Sequence, residues 1–130
     1  QVSVFTVGIG AVAALVGGLG IMNTMIMSVL ERRREIGVMK AVGATRRQIL
    51  RHFMTEALLI SAIGGILGIV FGILAAGALG TVLGFFRISL ITADLVAGSF
   101  AFAILLGLAG GFYPSWKAAT LDPVEALRYE

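Results

Sequence analysis

The stretch ERRREIGVMKAVGATRRQILRHFMTE, Glu31–Glu56, decides how this chain is organised. It holds seven of the ten Lys and Arg residues in the 130-residue sequence, set against three acidic residues, for a local net charge of +4. The sequence around it carries long runs without any Asp, Glu, Lys or Arg: Gln1–Leu30 before it, Ala57–Phe86 after it, and further on Leu95–Trp116. A helix of about 20 apolar residues crosses the hydrocarbon of a bilayer. Each of the three runs is long enough to do so, and the chain reads as an all-α membrane protein with three transmembrane helices, at about 3–30, 57–84 and 95–116.

Composition agrees. Apolar residues make up 58% of the chain, charged residues 13%, and the mean hydropathy is +1.02, outside the balance of soluble domains. The chain has no cysteine, so disulfides and thiolate metal sites are excluded. A pI near 10 suggests nucleic acid in a soluble protein. Here the basic excess is confined to the segment beside the spans, where it marks the cytoplasmic side and attraction to anionic lipid; nucleic acid is not an expected partner. The first run is too long for a signal peptide, and its basic residues follow it. Because the sequence enters apolar residues directly after Gln1, it reads as a fragment whose upstream part lies elsewhere.

The positive-inside rule sets an expected orientation. The basic segment and the tail 117–130 are inside, the N-terminus and the short Arg87–Asp94 connection outside. Tyr113, Trp116 and Lys117 would anchor the third span at the inner interface. Thirty helical residues measure roughly 45 Å, so the first span should tilt or run on into the cytoplasm.

Within the basic segment, residues Glu31 to Val42 favour helix and meet Gly43, a natural C-terminal cap. Thr45 with Gln48 three residues on fits a capping box that opens the next helix. On a helical wheel Ile36, Val38, Met39 and Val42 form one side and Arg33, Arg34 and Lys40 the other, with Gly37 between. The pattern alone leaves two readings open, a basic amphipathic helix resting among the lipid headgroups or a helix seated on a partner. In the tail, Asp122-Pro123-Val124-Glu125 combines an N-cap acid, Pro at the first helical position and an early Glu, predicting a short cytoplasmic helix. Pro114 is expected to kink the third span or mark its exit.

Glycine is the other organised feature. Gly64, Gly68 and Gly72 recur at every fourth residue, and Gly107 and Gly111 repeat the spacing. Small residues spaced this way let helix backbones approach closely where lipid offers no hydrophobic contrast. Both sets are expected to pack helices, within or between subunits. No ionisable residue falls inside a span, which disfavours proton-driven transport. No acid–base pair, nucleophile pair or metal cluster can be assembled, and there is no GxxxxGK[ST] phosphate loop. If ATP drives this protein, another domain or chain binds it.

The run Gly20-Ile21-Met22-Asn23-Thr24-Met25 and Ser28 through Ile49 closely resembles the corresponding stretch of FtsX-like ABC-transporter permeases, most closely the macrolide-exporter (MacB) type. The tail, Pro114-Ser115-Trp116-Lys117-Ala118-Ala119 with Leu121 to Arg128, is similar to that family's C-terminal signature. The resemblance covers nearly the whole chain. It implies a single permease domain with four transmembrane helices in the complete subunit, of which this chain would hold the last three. It further implies that Glu31–Gly43 is a coupling helix, with Arg34, Glu35, Ile36, Gly37, Met39, Lys40, Val42 and Gly43 contacting a cytoplasmic ABC ATPase, fused or separate. ATP and Mg would sit on that ATPase, with no cofactor bound by this chain. The resemblance also implies dimerisation with a second permease copy or paralogue, surrounding membrane lipid, periplasmic or extracellular partner proteins, and mechanotransmission for export of drugs, peptides or lipoproteins. A signalling permease that transports nothing, or a scaffold that only binds lipid, are the alternatives.

The orientation is checked with single cysteines in this cysteine-free chain. Thr45→Cys and Thr120→Cys are expected to resist an impermeant thiol reagent on intact cells, and Thr92→Cys to label. Labelling at position 45 from outside would reverse the orientation.

Overall fold

The computed structural model describes residues 1–84 and 91–128; the expected outside connection at Arg87–Asp94 lies partly outside them. Among the described residues five helices follow one another: α1 Val2–Glu31, α2 Arg33–Ala41, α3 Arg46–Val82, α4 Ala93–Ala119 and α5 Pro123–Arg128. Three of them, α1, α3 and α4, are long and apolar enough to cross a membrane. Local chemistry explains the breaks. Arg32 (φ −101°, ψ 16°) leaves helical geometry for one residue between α1 and α2. At the end of α2, the Gly43 N–H donates to the Lys40 carbonyl and the Ala44 N–H to the Met39 carbonyl, a Schellman closure. It needs the left-handed backbone that Gly43 adopts at φ +110°. The Gln48 N–H then donates to Thr45 Oγ1 and the Thr45 N–H to Gln48 Oε1, completing the capping box that starts α3. From there α3 runs unbroken for 37 residues, roughly 55 Å.

Pro114 does not end the third span. α4 continues five residues beyond it to Ala119, with Pro114 buried. The carbonyl that a helix would have paired with the missing N–H belongs to Gly110, where α1 crosses close by: a side chain at Gly110 would meet the Gly18 carbonyl at 2.8 Å.

α4 is the central helix. It packs along α3 on one side and against α1 on the other, while α1 and α3 barely meet. The α3–α4 contact is a seam of small residues. A side chain at Gly111 would run into Ala57, one at Gly107 into Ser61, and one at Gly65 would lie 3.0 Å from the Ala103 Cβ. The seam therefore steps Ala57, Ser61, Gly65 up α3 and Gly111, Gly107, Ala103 down α4. Its buried hydroxyl is satisfied locally, Ser61 Oγ donating to the Ala57 carbonyl at 2.6 Å.

Gly64, Gly68 and Gly72 take no part in this contact. All three are exposed, with nothing within 4 Å of where a side chain would begin. They line an apolar groove of about 650 Å³ with Gly17 and Ile21 of α1 and Leu106 of α4. Of the expectation that they pack helices within or between subunits, the contact within the chain falls instead to the seam one position along.

The buried core lies at the basic end, where Met25, Val29, Ile36, Ile49, Phe53, Ala57, Ala118 and Ala119 come together. Toward the other end the large apolar side chains of α1, from Val2 to Leu19, are exposed. In a bilayer that surface faces lipid at no cost.

Gly107→Val or Gly111→Val in the full-length permease is expected to force α3 and α4 apart, costing on the order of 1–3 kcal/mol and lowering the Tm in detergent. Gly68→Leu points into open space and should leave that Tm in place. Equal shifts at both sites would contradict the seam.

Candidate docking surface at the basic end of the bundle

Short-range pairs fix the joint between α1 and α2. Arg32 Nε donates to Glu35 Oε2 at 3.1 Å, and an Arg32 terminal nitrogen donates to Glu56 Oε2 at 3.3 Å. The same guanidinium lies over the Phe53 ring, 5.6 Å from its centroid. These groups are only partly buried, so the pairs add little stability. What they do is tie the first turn of α2 to α3, with Glu35 and Glu56 sharing one cation.

The wheel drawn from the sequence divides α2 differently from the fold. Ile36 is fully buried among Met25, Val29, Ile49 and Phe53, and Met39 is half-buried against the same cluster. Gly37 is buried beneath α5: a side chain there would lie 2.9 Å from the Ala126 Cβ and 3.3 Å from Leu127 Cγ. Lys40 is turned the same way. Its ammonium donates to the carbonyls of Ala119 and Leu121, capping the C-terminal end of α4. Partial burial lowers the Lys40 pKa from its ordinary value; the neighbouring Arg46 pushes it further down and Asp122 pulls against both.

The opposite face is open. Arg34 and Glu35 are exposed, Val38 is 48% exposed and Val42 84%, and Gly43 sits at the exposed corner. Thr45, Arg46, Arg47 and Gln48 continue the exposed surface into α3. Of the eight residues expected to meet a partner, Arg34, Glu35, Val42 and Gly43 are accessible for it. Ile36 and Gly37 are enclosed by the chain itself, and Lys40 is engaged with the end of α4. Val38 joins the accessible set. The four apolar residues that the wheel grouped together are thus split, two inward and two outward, because α5 covers a face that the wheel assigned to basic side chains.

The exposed Val38 and Val42 share this end of the chain with the exposed Arg34, Glu35, Arg46 and Arg47, which gives the surface apolar side chains together with charged ones. Sequence reasoning missed the contribution of α5, although the Asp122 cap was legible. The Val124 N–H donates to Asp122 Oδ1 at 3.0 Å, which holds the turn that folds α5 back onto α2.

Comparison with known proteins bears on what that surface meets. The family model of the FtsX-like permease C-terminal domain matches residues 7–123. The chain is 45% identical over 128 residues to a macrolide export ATP-binding/permease protein, MacB, of Bdellovibrio bacteriovorus, covering 98% of this chain and 19% of that protein. It is 46% identical over 131 residues to the uncharacterised ABC transporter permease YknZ of Bacillus subtilis, covering 98% of this chain and 32% of the relative. The pyoverdine export ATP-binding/permease protein PvdT of Pseudomonas entomophila is 47% identical over 122 residues, covering 94% of this chain and 18% of its own length. The chain therefore spans between about a fifth and a third of the relatives it matches. On the match across residues 7–123 and these identities, the chain belongs to the FtsX-like permease family of ABC transporters.

Proposed function

We propose that this chain is the motion-transmitting membrane part of a MacB-like ABC exporter, in which α2 seats its Val38–Val42 face on a cytoplasmic ATPase. The observation that carries this is the two-sided α2: one face locked to the bundle through Ile36, Gly37 and Lys40, the other presenting the exposed Val38 and Val42. A helix held this way moves with the bundle when its open face is pushed. In this reading the basic end is cytoplasmic and Gln1 lies outside. ATP and Mg belong to the ATPase, and two permease copies or paralogues work as a dimer. The uncharged spans suit a device that moves helices without passing a polar substrate between them. Two of the relatives' names join ATP-binding with permease and one names a permease alone, which supports either a fused or a separate ATPase. The same names speak of macrolide and pyoverdine export, and we extend to this chain only the class, export driven from a cytoplasmic ATPase.

Val42→Asp puts a carboxylate into the apolar contact, and it is expected to weaken ATPase association by about tenfold or more, as loss of a central interface side chain does. Because Val42 is largely exposed, membrane insertion and Tm should be unchanged. Glu35→Lys reverses the charge next to Arg32 and should weaken association as well. Co-purification reads the effect for a separate ATPase, and cysteine cross-linking across the contact for a fused one. Full association and function in both variants would mean that α2 rests on lipid only.

A further inference from the structure

α2 is nine residues long and α5 six, each too short to persist as an isolated helix. They lie against each other, and that contact is far more extensive than the one α2 makes with α1 at their junction. Its centre is the pairing of Gly37 with Ala126, both buried. A side chain at Gly37 would also come within 3.5 Å of the Pro123 carbonyl, so the backbone of α5 closes over that point. Carbon atoms in contact settle at about 3.5–4.0 Å. A Cβ at 2.9 Å from the Ala126 Cβ cannot be absorbed by a flexible side-chain end, because both partners are attached directly to backbone. A second tether lies one turn further along α2, where Lys40 holds the carbonyls of Ala119 and Leu121 at the start of the tail.

We propose that the C-terminal tail, Thr120–Arg128, is the positioning element that sets the pose of α2, with Gly37, Lys40 and Ala126 as its fixing points, so that docking of the ATPase depends on residues that do not touch it. This rests on the docking reading of α2 and assigns how that site is held. Gly37 then acts through α5, from the face of α2 turned away from the partner. The tail is an extension of α4, so the pose of α2 follows any displacement of the inner end of that helix.

A size exchange tests this in the full-length permease with its ATPase. Gly37→Ala is expected to displace α5, weakening ATPase association by about tenfold and raising amide hydrogen exchange across residues 123–128. Adding Ala126→Gly removes the methyl that collides and should return both readouts to within about twofold of wild type. Lys40→Met, which keeps the chain length and removes the ammonium, should raise tail exchange and weaken association without altering the small-residue contact. Val42→Asp serves as the reference for direct contact: it should weaken association and leave tail exchange as in wild type. If Gly37→Ala frees the tail while association holds and Val42→Asp still breaks it, the tail does not position α2 and only this proposal falls. If the double variant recovers tail protection without recovering association, Gly37 meets the ATPase itself and the proposal falls likewise. If Val42→Asp leaves association intact, the docking reading falls and the proposal with it.

Discussion

The close approach of α3 and α4 is the constraint on which the rest of this structure depends. Lipid is as apolar as the side chains it surrounds, so two spanning helices gain little from hiding apolar area and must gain from contact. Ala57, Ser61 and Gly65 against Gly111, Gly107 and Ala103 provide that contact, because each pair removes the bulk that would keep the backbones apart. Gly111 and Gly107 are buried as a result, and the C-terminal end of α4 is brought beside Ile49 and Phe53 at the start of α3. Without that placement, the Ala119 carbonyl would not be within reach of Lys40, nor α5 within reach of Gly37.

The packing is graded along the bundle. At the basic end, side chains from α1, α2, α3 and α4 fill one core, while toward the other end α1 exposes almost every large side chain it carries. An apolar groove between α1 and α3 is floored by α4 and lined by the glycines that the seam does not use. The most closely packed part of the molecule is therefore the part nearest α2, and α3 runs on from it without interruption from Arg46 to Val82. Under the function proposed above, dense packing where α2 joins the bundle and a continuous helix beyond it suit the transfer of motion from an ATPase.

Charge at the basic end is divided between holding and display. Arg32 is shared between Glu35 and Glu56 and stacked on Phe53; Lys40 is spent on the C-terminal carbonyls of α4. Among the described residues, exposed cations at this end include Arg34, Arg46, Arg47, Arg51, Lys117 and Arg128. Exposed apolar side chains at the same end are Val38 and Val42 of α2 with Val124 and Leu127 of α5.

Much of this was legible in the sequence. The uncharged runs specified three spans, since only a helix satisfies its own backbone in hydrocarbon. Gly43, Thr45 with Gln48, and Asp122 marked helix ends whose hydrogen bonds are local, and local bonds depend on neighbouring residues alone. The motif within Gly20 to Ile49, with the tail from Pro114 to Arg128, was enough to carry the family resemblance. What sequence alone left undecided is rotation. The glycine stripe 64–68–72 and the seam 57–61–65 differ by one residue on the same helix, about 100° of turn, and both are rows of small residues. Counting Ala and Ser as small would have revealed the second row without choosing between them. The face of α2 was undecided for the same reason: Val38 and Ile36 are equally apolar, and Lys40 can bury its stem while its ammonium finds carbonyls. Which row packs and which valine stays open is set by the helix that arrives opposite, α4 for α3 and α5 for α2. Those neighbours lie tens of residues away in the chain, and only the tertiary structure brings them there.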